Sequence, residues 1–142
     1  NVNRMLANYR NNFGRLAEAL IYEGKTDSAK VVLEKCLNLM PDEIMPFDVF
    51  TLSMAESYFR LNEPDKAFEI INKLKNNTLD ELNYMVSLDK KFDDALDYEK
   101  RLNLHVLNEL IRILRENGRD DLREELELKF QDYIVALNFA AY

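Results

Sequence analysis

The stretch Phe13-Gly14-Arg15-Leu16-Ala17-Glu18-Ala19-Leu20, a turn at Gly24, and then Ala29, Leu33, Cys36 and Pro41 decide how this chain folds. Leu16, Ala17, Leu20, Gly24, Ala29, Leu33 and Cys36 are echoed 38 residues later by Met54, Ala55, Tyr58, Asn62, Ala67, Ile71 and Leu74. Apolar and small residues at three- and four-residue steps, on either side of a Gly or Asn, describe a helix, a tight turn and a second helix. Recurrence at a constant offset makes that hairpin a repeat and not a single amphipathic accident. A partial third copy stands 94 residues on, where Leu107, Leu110, Ile111, Leu114 and Gly118 match Phe13, Leu16, Ala17, Leu20 and Gly24. Its second half departs, since Arg123 and Glu127 fall where Ala29 and Leu33 lie.

Working outward, the spacing predicts a first helix from about Asn3 to Tyr22 with Leu6, Tyr9, Phe13, Leu16, Ala17 and Leu20 inward. A second starts at Thr26-Asp27, carries Ala29, Val32, Leu33, Cys36, Leu37 and Met40, and stops at Pro41. A third spans about Phe47 to Leu61, and Glu63-Pro64-Asp65 opens a fourth, Pro being tolerated at a helix start. Beyond Asn76-Asn77-Thr78 the pattern loosens: Leu79, Leu82, Tyr84, Met85 and Leu88 suggest a short helix, and Asp89-Lys90-Lys91 a break. A long helix then runs from about Phe92 to Asn117, with Leu96, Leu102, Val106, Leu107, Leu110, Ile111 and Leu114 inward. A closing helix buries Leu122, Leu126, Phe130, Tyr133 and Leu137. The expected architecture is all-α, one domain over 1–142, with repeat 1 at about 5–41, repeat 2 at about 46–78 and degenerate helices over 79–142.

Composition agrees. Three Gly and three Pro in 142 residues suit long helices with short breaks, and the single Cys excludes an internal disulfide. No apolar run approaches the roughly 20 residues of a membrane span, so a soluble chain is expected. A net charge of −7, unbroken by any Lys or Arg cluster, argues against nucleic acid, because the phosphate-neutralising term is missing. The opening at Asn1 implies processing or excision from a longer protein.

The order of large, small and turn residues resembles the tetratricopeptide repeat. The resemblance implies a right-handed superhelix of about three helix pairs that binds a protein or peptide on the surface lined by the first helix of each pair. The 38-residue period exceeds that family's spacing of about 34 by roughly one helical turn. Groove-facing candidates are Asn8, Asn11, Asn12, Arg15 and Glu18 from repeat 1, and Thr51, Ser53, Glu56 and Arg60 from repeat 2. Where some members hold a chaperone's terminal carboxylate with Lys and Asn, this chain has Gly14, Glu18, Leu52 and Glu56. That clamp is absent, and the surface suits a basic or neutral polar ligand.

Three stretches narrow the resemblance: Tyr9-Arg10-Asn11-Asn12-Phe13-Gly14-Arg15-Leu16-Ala17, Leu37-Asn38-Leu39-Met40-Pro41-Asp42-Glu43 and Leu96-Asp97-Tyr98-Glu99-Lys100. They are similar to the soluble C-terminal tail of multi-spanning membrane proteins of Bacteroidetes that resemble protein O-mannosyltransferases. The resemblance implies a bacterial inner-membrane attachment, periplasmic or alternatively cytoplasmic, a non-catalytic role, and the parent's membrane part as a possible partner. A free-standing scaffold or assembly factor is the alternative, and a small helical enzyme the third reading.

Chemistry-bearing residues support the non-enzymatic readings. Cys36 takes a small-residue position and reads as a buried, inert thiol. His105 is the only histidine, which rules out a multi-His metal site within one chain. Asp93-Asp94, Asp120-Asp121 and Glu124-Glu125 read as solvated faces and caps. No cofactor motif is found, and no metal site. The apolar terminus, Tyr133, Ile134, Val135, Leu137, Phe139 and Tyr142, exceeds one stripe. It is expected to fold back on the long helix or to dock on the parent or a second copy as a homodimer.

Overall fold

In a computed structural model, which describes residues 2–139, the apolar periodicity becomes six α-helices and no strand among the described residues. They are α1 (Val2–Tyr22), α2 (Thr26–Leu39), α3 (Leu52–Arg60), α4 (Pro64–Ser87), α5 (Asp97–Glu116) and α6 (Asp120–Ala136). Short 3₁₀ turns at Val49–Thr51 and Lys90–Phe92 precede α3 and α5. The chain divides into two compact units whose boundary falls between Leu74 and Lys75, inside α4.

The turns repeat as the sequence does. After α1, Gly24 adopts φ +79°, its N–H donates to Ile21 O at 3.0 Å, and Lys25 N–H donates to Leu20 O at 2.8 Å. After α3, Asn62 (φ 58°) and Glu63 make the same pair of bonds, to Phe59 and Tyr58. After α5, Gly118 (φ +74°) and Arg119 make them to Arg115 and Leu114. This left-handed closure satisfies carbonyls that a helix end leaves open, and Gly or Asn occupies it because a Cβ is least tolerated there. The residues at 24, 62 and 118 stand at the offsets of 38 and 94 read from the sequence.

In the first unit α1 packs along α2 and crosses α3. Ala17, Ala29, Ala55 and Ala67 are fully buried, as close helix contacts require. Gly14 extends the row, for a Cβ there would stand 2.8 Å from Ser53 Oγ of α3. The inward face of α1 differs from the expected stripe. Arg10, Gly14 and Ala17 are the buried residues, while Tyr9 and Leu16 are 51% and 48% exposed. At Gly14 the close approach of α3 leaves no room for a side chain, and Arg10 on the same face is buried by the connection after α2.

Arg10 is wholly buried and holds the connection between α2 and α3. Its guanidinium donates to the carbonyls of Met40 (2.9 Å), Met45 (2.6 Å) and Pro46 (3.1 Å) and lies 5.2 Å above the Phe47 ring. Asp48, 3.8 Å away, supplies a counter-charge and also accepts from Phe50 N–H. Burial lowers the Arg10 pKa and Asp48 opposes the shift, but a guanidinium stays charged throughout the ordinary pH range.

Three sequence boundaries move. The third helix starts at Leu52, not Phe47, after the 3₁₀ turn Val49–Thr51. The expected break at Asn76–Thr78 is absent: α4 continues to Ser87, because Ala67, Ile71, Leu74, Thr78, Leu82 and Met85 keep a buried stripe at three- and four-residue steps with no Gly or Pro between. The long helix starts at Asp97, not Phe92, since the 3₁₀ turn and the turns after it occupy 90–96. There Lys100, 3% exposed, reaches back to Asp93 Oδ1 at 2.8 Å and pins that connection.

In the second unit α5 and α6 form the third hairpin. Leu104 and Ile113 join the expected core of α5, whereas Leu96 and Leu102 are half-buried. At the departing positions an ion-pair cluster replaces small-residue packing: Arg123 meets Glu127 at 3.0 Å and Asp120 at 3.3 Å, and Arg115 meets Glu127 at 3.2 Å. The closing helix folds back within its unit. Leu126, Phe130, Tyr133, Ile134 and Leu137 are buried, Leu122 is half-buried, the Tyr133 hydroxyl donates to Asn83 Oδ1, and Arg101 lies 4.8 Å over the Phe139 ring. Val135 alone of the expected terminal set stays fully outside, and Tyr142 lies beyond the described residues.

Three stability outcomes are expected. Replacing Ala29 or Ala67 with Leu should cost about 1–3 kcal/mol through overpacking, read as a lower urea midpoint. Arg10→Met should cost on the order of 2–4 kcal/mol, because it strands three carbonyls, and Arg10→Lys should fall between, for it keeps the charge and loses the fork. Ending the chain after Gln131 removes Tyr133, Ile134 and Leu137 and should lower the melting temperature sharply; an unchanged melt would show the terminal turns to be dispensable.

Candidate functional site

The nine groove candidates come from α1 and from the segment opening α3, which pack together, but they do not form one open surface. Asn8, Asn12, Arg15 and Arg60 are exposed, and Asn11, Glu18 and Glu56 half-buried. Thr51 is corrected: it is fully buried in the 3₁₀ turn, its hydroxyl donating to Asp48 O at 2.7 Å. Ser53 is spent on the crossing over Gly14. Two of the four positions compared with the chaperone clamp, Gly14 and Leu52, are likewise packing positions. The hollow on this helix, about 180 Å³, is almost wholly apolar and takes only Asn12 from the predicted set, beside Tyr9, Phe13 and Leu16.

A second site, which periodicity alone did not single out, lies between α2 and the first turns of α4. Glu34, Leu37 and Asn38 share one face of α2, and Lys66, Glu69, Ile70 and Lys73 one face of α4, both at helical spacing. Phe47, held by the Arg10 connection, and Tyr58 of α3 complete a cleft of about 310 Å³. Each ammonium sits above a ring: Lys66 Nζ is 5.7 Å from the Tyr58 centroid, and Lys73 Nζ 5.8 Å from that of Phe47. Lys66 also pairs with Glu34 (3.0 Å) and Glu63 (3.2 Å), and Lys73 loosely with Glu69 (3.7 Å). These hydrogen-bonded pairings raise the Lys66 pKa, Glu34 contributing most, and Lys66 in turn lowers that of Glu63. Exposed pairs of this kind contribute less than about 1 kcal/mol and open readily.

Tyr58 is fully buried and its hydroxyl has no hydrogen-bond partner. Burial pushes its pKa up to about 12, so the group stays an O–H donor. An unsatisfied buried donor is uncommon in a folded protein. In the second unit a broader groove of about 680 Å³ follows α5 and α6 past Ile111, Leu128 and Phe130, but its Arg115 and Glu127 already pair with one another.

The remaining chemistry-bearing residues are placed as follows. Cys36 is fully buried, and burial raises its thiol to about 11 against the opposing charge of Arg10. Such a thiol is protonated at neutral pH and a poor nucleophile. His105 is exposed on α5. Asp121 is held below the ordinary carboxylate range by the Leu122 N–H and by Arg119, and Glu127 by Arg123, the opposite direction from a general acid. Among the described residues no three His, Cys, Asp or Glu side chains gather as metal ligands would, and no helix is long and apolar enough to cross a membrane. No protein-family model, curated protein or solved structure matches the chain.

Cys36 gives the stability of the fold a pH signature. Its folded pKa lies above the unfolded one, so the folded state keeps a proton that the unfolded chain releases. Stability should therefore be intact below about pH 9 and fall as pH rises toward about 11, with a slope of up to about 1.4 kcal/mol per unit from this group. Cys36→Ala should flatten that limb of the urea-midpoint profile, and in the native chain a thiol reagent at pH 8 should react at least about a hundredfold more slowly than after denaturation.

Proposed function

We propose that the chain is a non-catalytic protein-interaction module built as a tetratricopeptide-like superhelix, and that it serves as the soluble tail of a membrane-embedded, glycosyltransferase-like protein. The observation that carries the first half is the common closure of three helix pairs at Gly24, Asn62 and Gly118, with small residues buried where the first two pairs cross. Repeated hairpins of this kind stack into extended surfaces that partners bind. The buried, protonated Cys36 and the ionised carboxylates point the same way. The second half rests on the three stretches that include Tyr9-Arg10, Leu37-Asn38 and Tyr98-Glu99. Arg10 is the most constrained residue in them, since it ties the first hairpin to the second.

The complete reading frame tests the attachment. Roughly ten or more apolar spans ahead of this segment are expected; a short frame without them favours the free-standing scaffold. Incubating the isolated chain with glycosyl donors should release no product, and turnover would overturn both readings.

A further inference from the structure

The cleft between α2 and α4 holds an unused donor under a loose lid. Tyr58, whose fully buried hydroxyl is unpartnered, lines its wall, with Lys66 over its ring and paired to Glu34. The charges of that lid are not equivalent. Lys66 and Lys73 are each anchored over a ring, Tyr58 and Phe47, so their ammonium groups stay at the mouth of the cleft. Glu34 and Glu69, by contrast, are more than half exposed, 54% and 68%, and can turn into solvent at small cost. When they do, Lys66 keeps Glu63 at 3.2 Å, and the cleft presents the Tyr58 O–H and the two ammonium groups over an apolar floor of Leu37, Phe47 and Ile70. A volume of about 310 Å³ takes a body of one or two side chains.

We propose that this cleft binds a carboxylate carried on a short apolar body, with the Tyr58 hydroxyl and the Lys66 ammonium donating to the carboxylate, which displaces Glu34. A chain-terminal carboxylate and a free organic acid share this chemistry. The assignment rests on reading the chain as a binding module; it concerns a different surface from the α1 and α3 face, which carries Glu18 and Glu56. A donor left unsatisfied in a native fold is accounted for when a ligand supplies its acceptor. A pocket with few convergent polar groups on an apolar floor is the ordinary form of a ligand site.

The test is a methyl NMR titration of the whole chain, reading Leu37 and Ile70, with 4-phenylbutyrate, 4-phenylbutylamine, and a short Phe-terminated peptide as its free acid and its amide. Both acids should shift the two methyls saturably at up to about 10 mM, and the amine and amide should not. Tyr58→Phe deletes an unpartnered hydroxyl, so its melting temperature should hold or rise while acid binding weakens about tenfold. Lys66→Gln should also weaken the acids and serves as a second variant. Tighter binding of the peptide acid assigns the source to a chain terminus, and tighter binding of phenylbutyrate to a free acid; either supports the site. Equal shifts with amine and acid, no shift with either acid, or undiminished acid binding by Tyr58→Phe would overturn it, and none of these results bears on the reading frame or on donor turnover.

Discussion

A single buried guanidinium holds the first two hairpins in register. Arg10 enters the structure through a helix face otherwise made of Gly14 and Ala17, and gathers the carbonyls of Met40, Met45 and Pro46. Those carbonyls belong to the irregular segment after α2, where no helical N–H is available to them. A buried carbonyl without a donor is costly, and a buried cation without acceptors costs more, so each is stable only in the presence of the other. The segment from Met40 to Asp48 therefore has one conformation, and Phe47, at its end, is delivered under Arg10 into the wall of the cleft. A related device recurs in the second unit, where buried Lys100 holds the turn before α5 through Asp93.

Around these clamps, the hairpins are closed by left-handed turns and packed through small residues. Division of labour follows from geometry: tight turns and close crossings tolerate few residue types, while the outer faces are free to carry charge. The third hairpin shows the limit of this. With Arg123 and Glu127 in place of Ala29 and Leu33, it keeps the turn and exchanges small-residue packing for an ion-pair cluster. Its acidic members are largely exposed and such pairs add little, so buried residues such as Leu82, Leu107, Leu110, Leu126 and Phe130 hold that unit.

The two candidate surfaces differ in what positions them. The α1 and α3 face is spelled out by helical spacing, yet the crossing consumes Thr51 and Ser53, and the rest is polar surface of ordinary exposure. The cleft between α2 and α4 is assembled from four elements, and what distinguishes it is an energetic irregularity, a buried hydroxyl with no acceptor. Its two ammonium groups, Lys66 and Lys73, lie over aromatic rings, and the Glu34 and Glu69 side chains paired with them are more than half exposed.

Local rules were enough to read the helices, their turns and the small-residue contacts. Gly24, Asn62 and Gly118 stand where the apolar stripes of α1, α3 and α5 stop and take the left-handed turn there, and Ala17, Ala29, Ala55 and Ala67 report a close crossing through their size and spacing. Arg10 shares a face with Gly14 and Ala17 at steps of four and three, but a stripe read from apolar residues passes over it, and only the carbonyls brought to it by the fold explain its burial. The continuity of α4 through Asn76 and Asn77 was decided by packing, because a buried stripe outweighs the weak helix preference of asparagine. Which apolar residues of α1 face inward, and that Tyr58, Lys66, Glu34 and Phe47 converge on one cleft, were likewise settled by tertiary structure. Periodicity assigns residues to a face of a helix, whereas burial and convergence depend on which other elements approach that face and how closely.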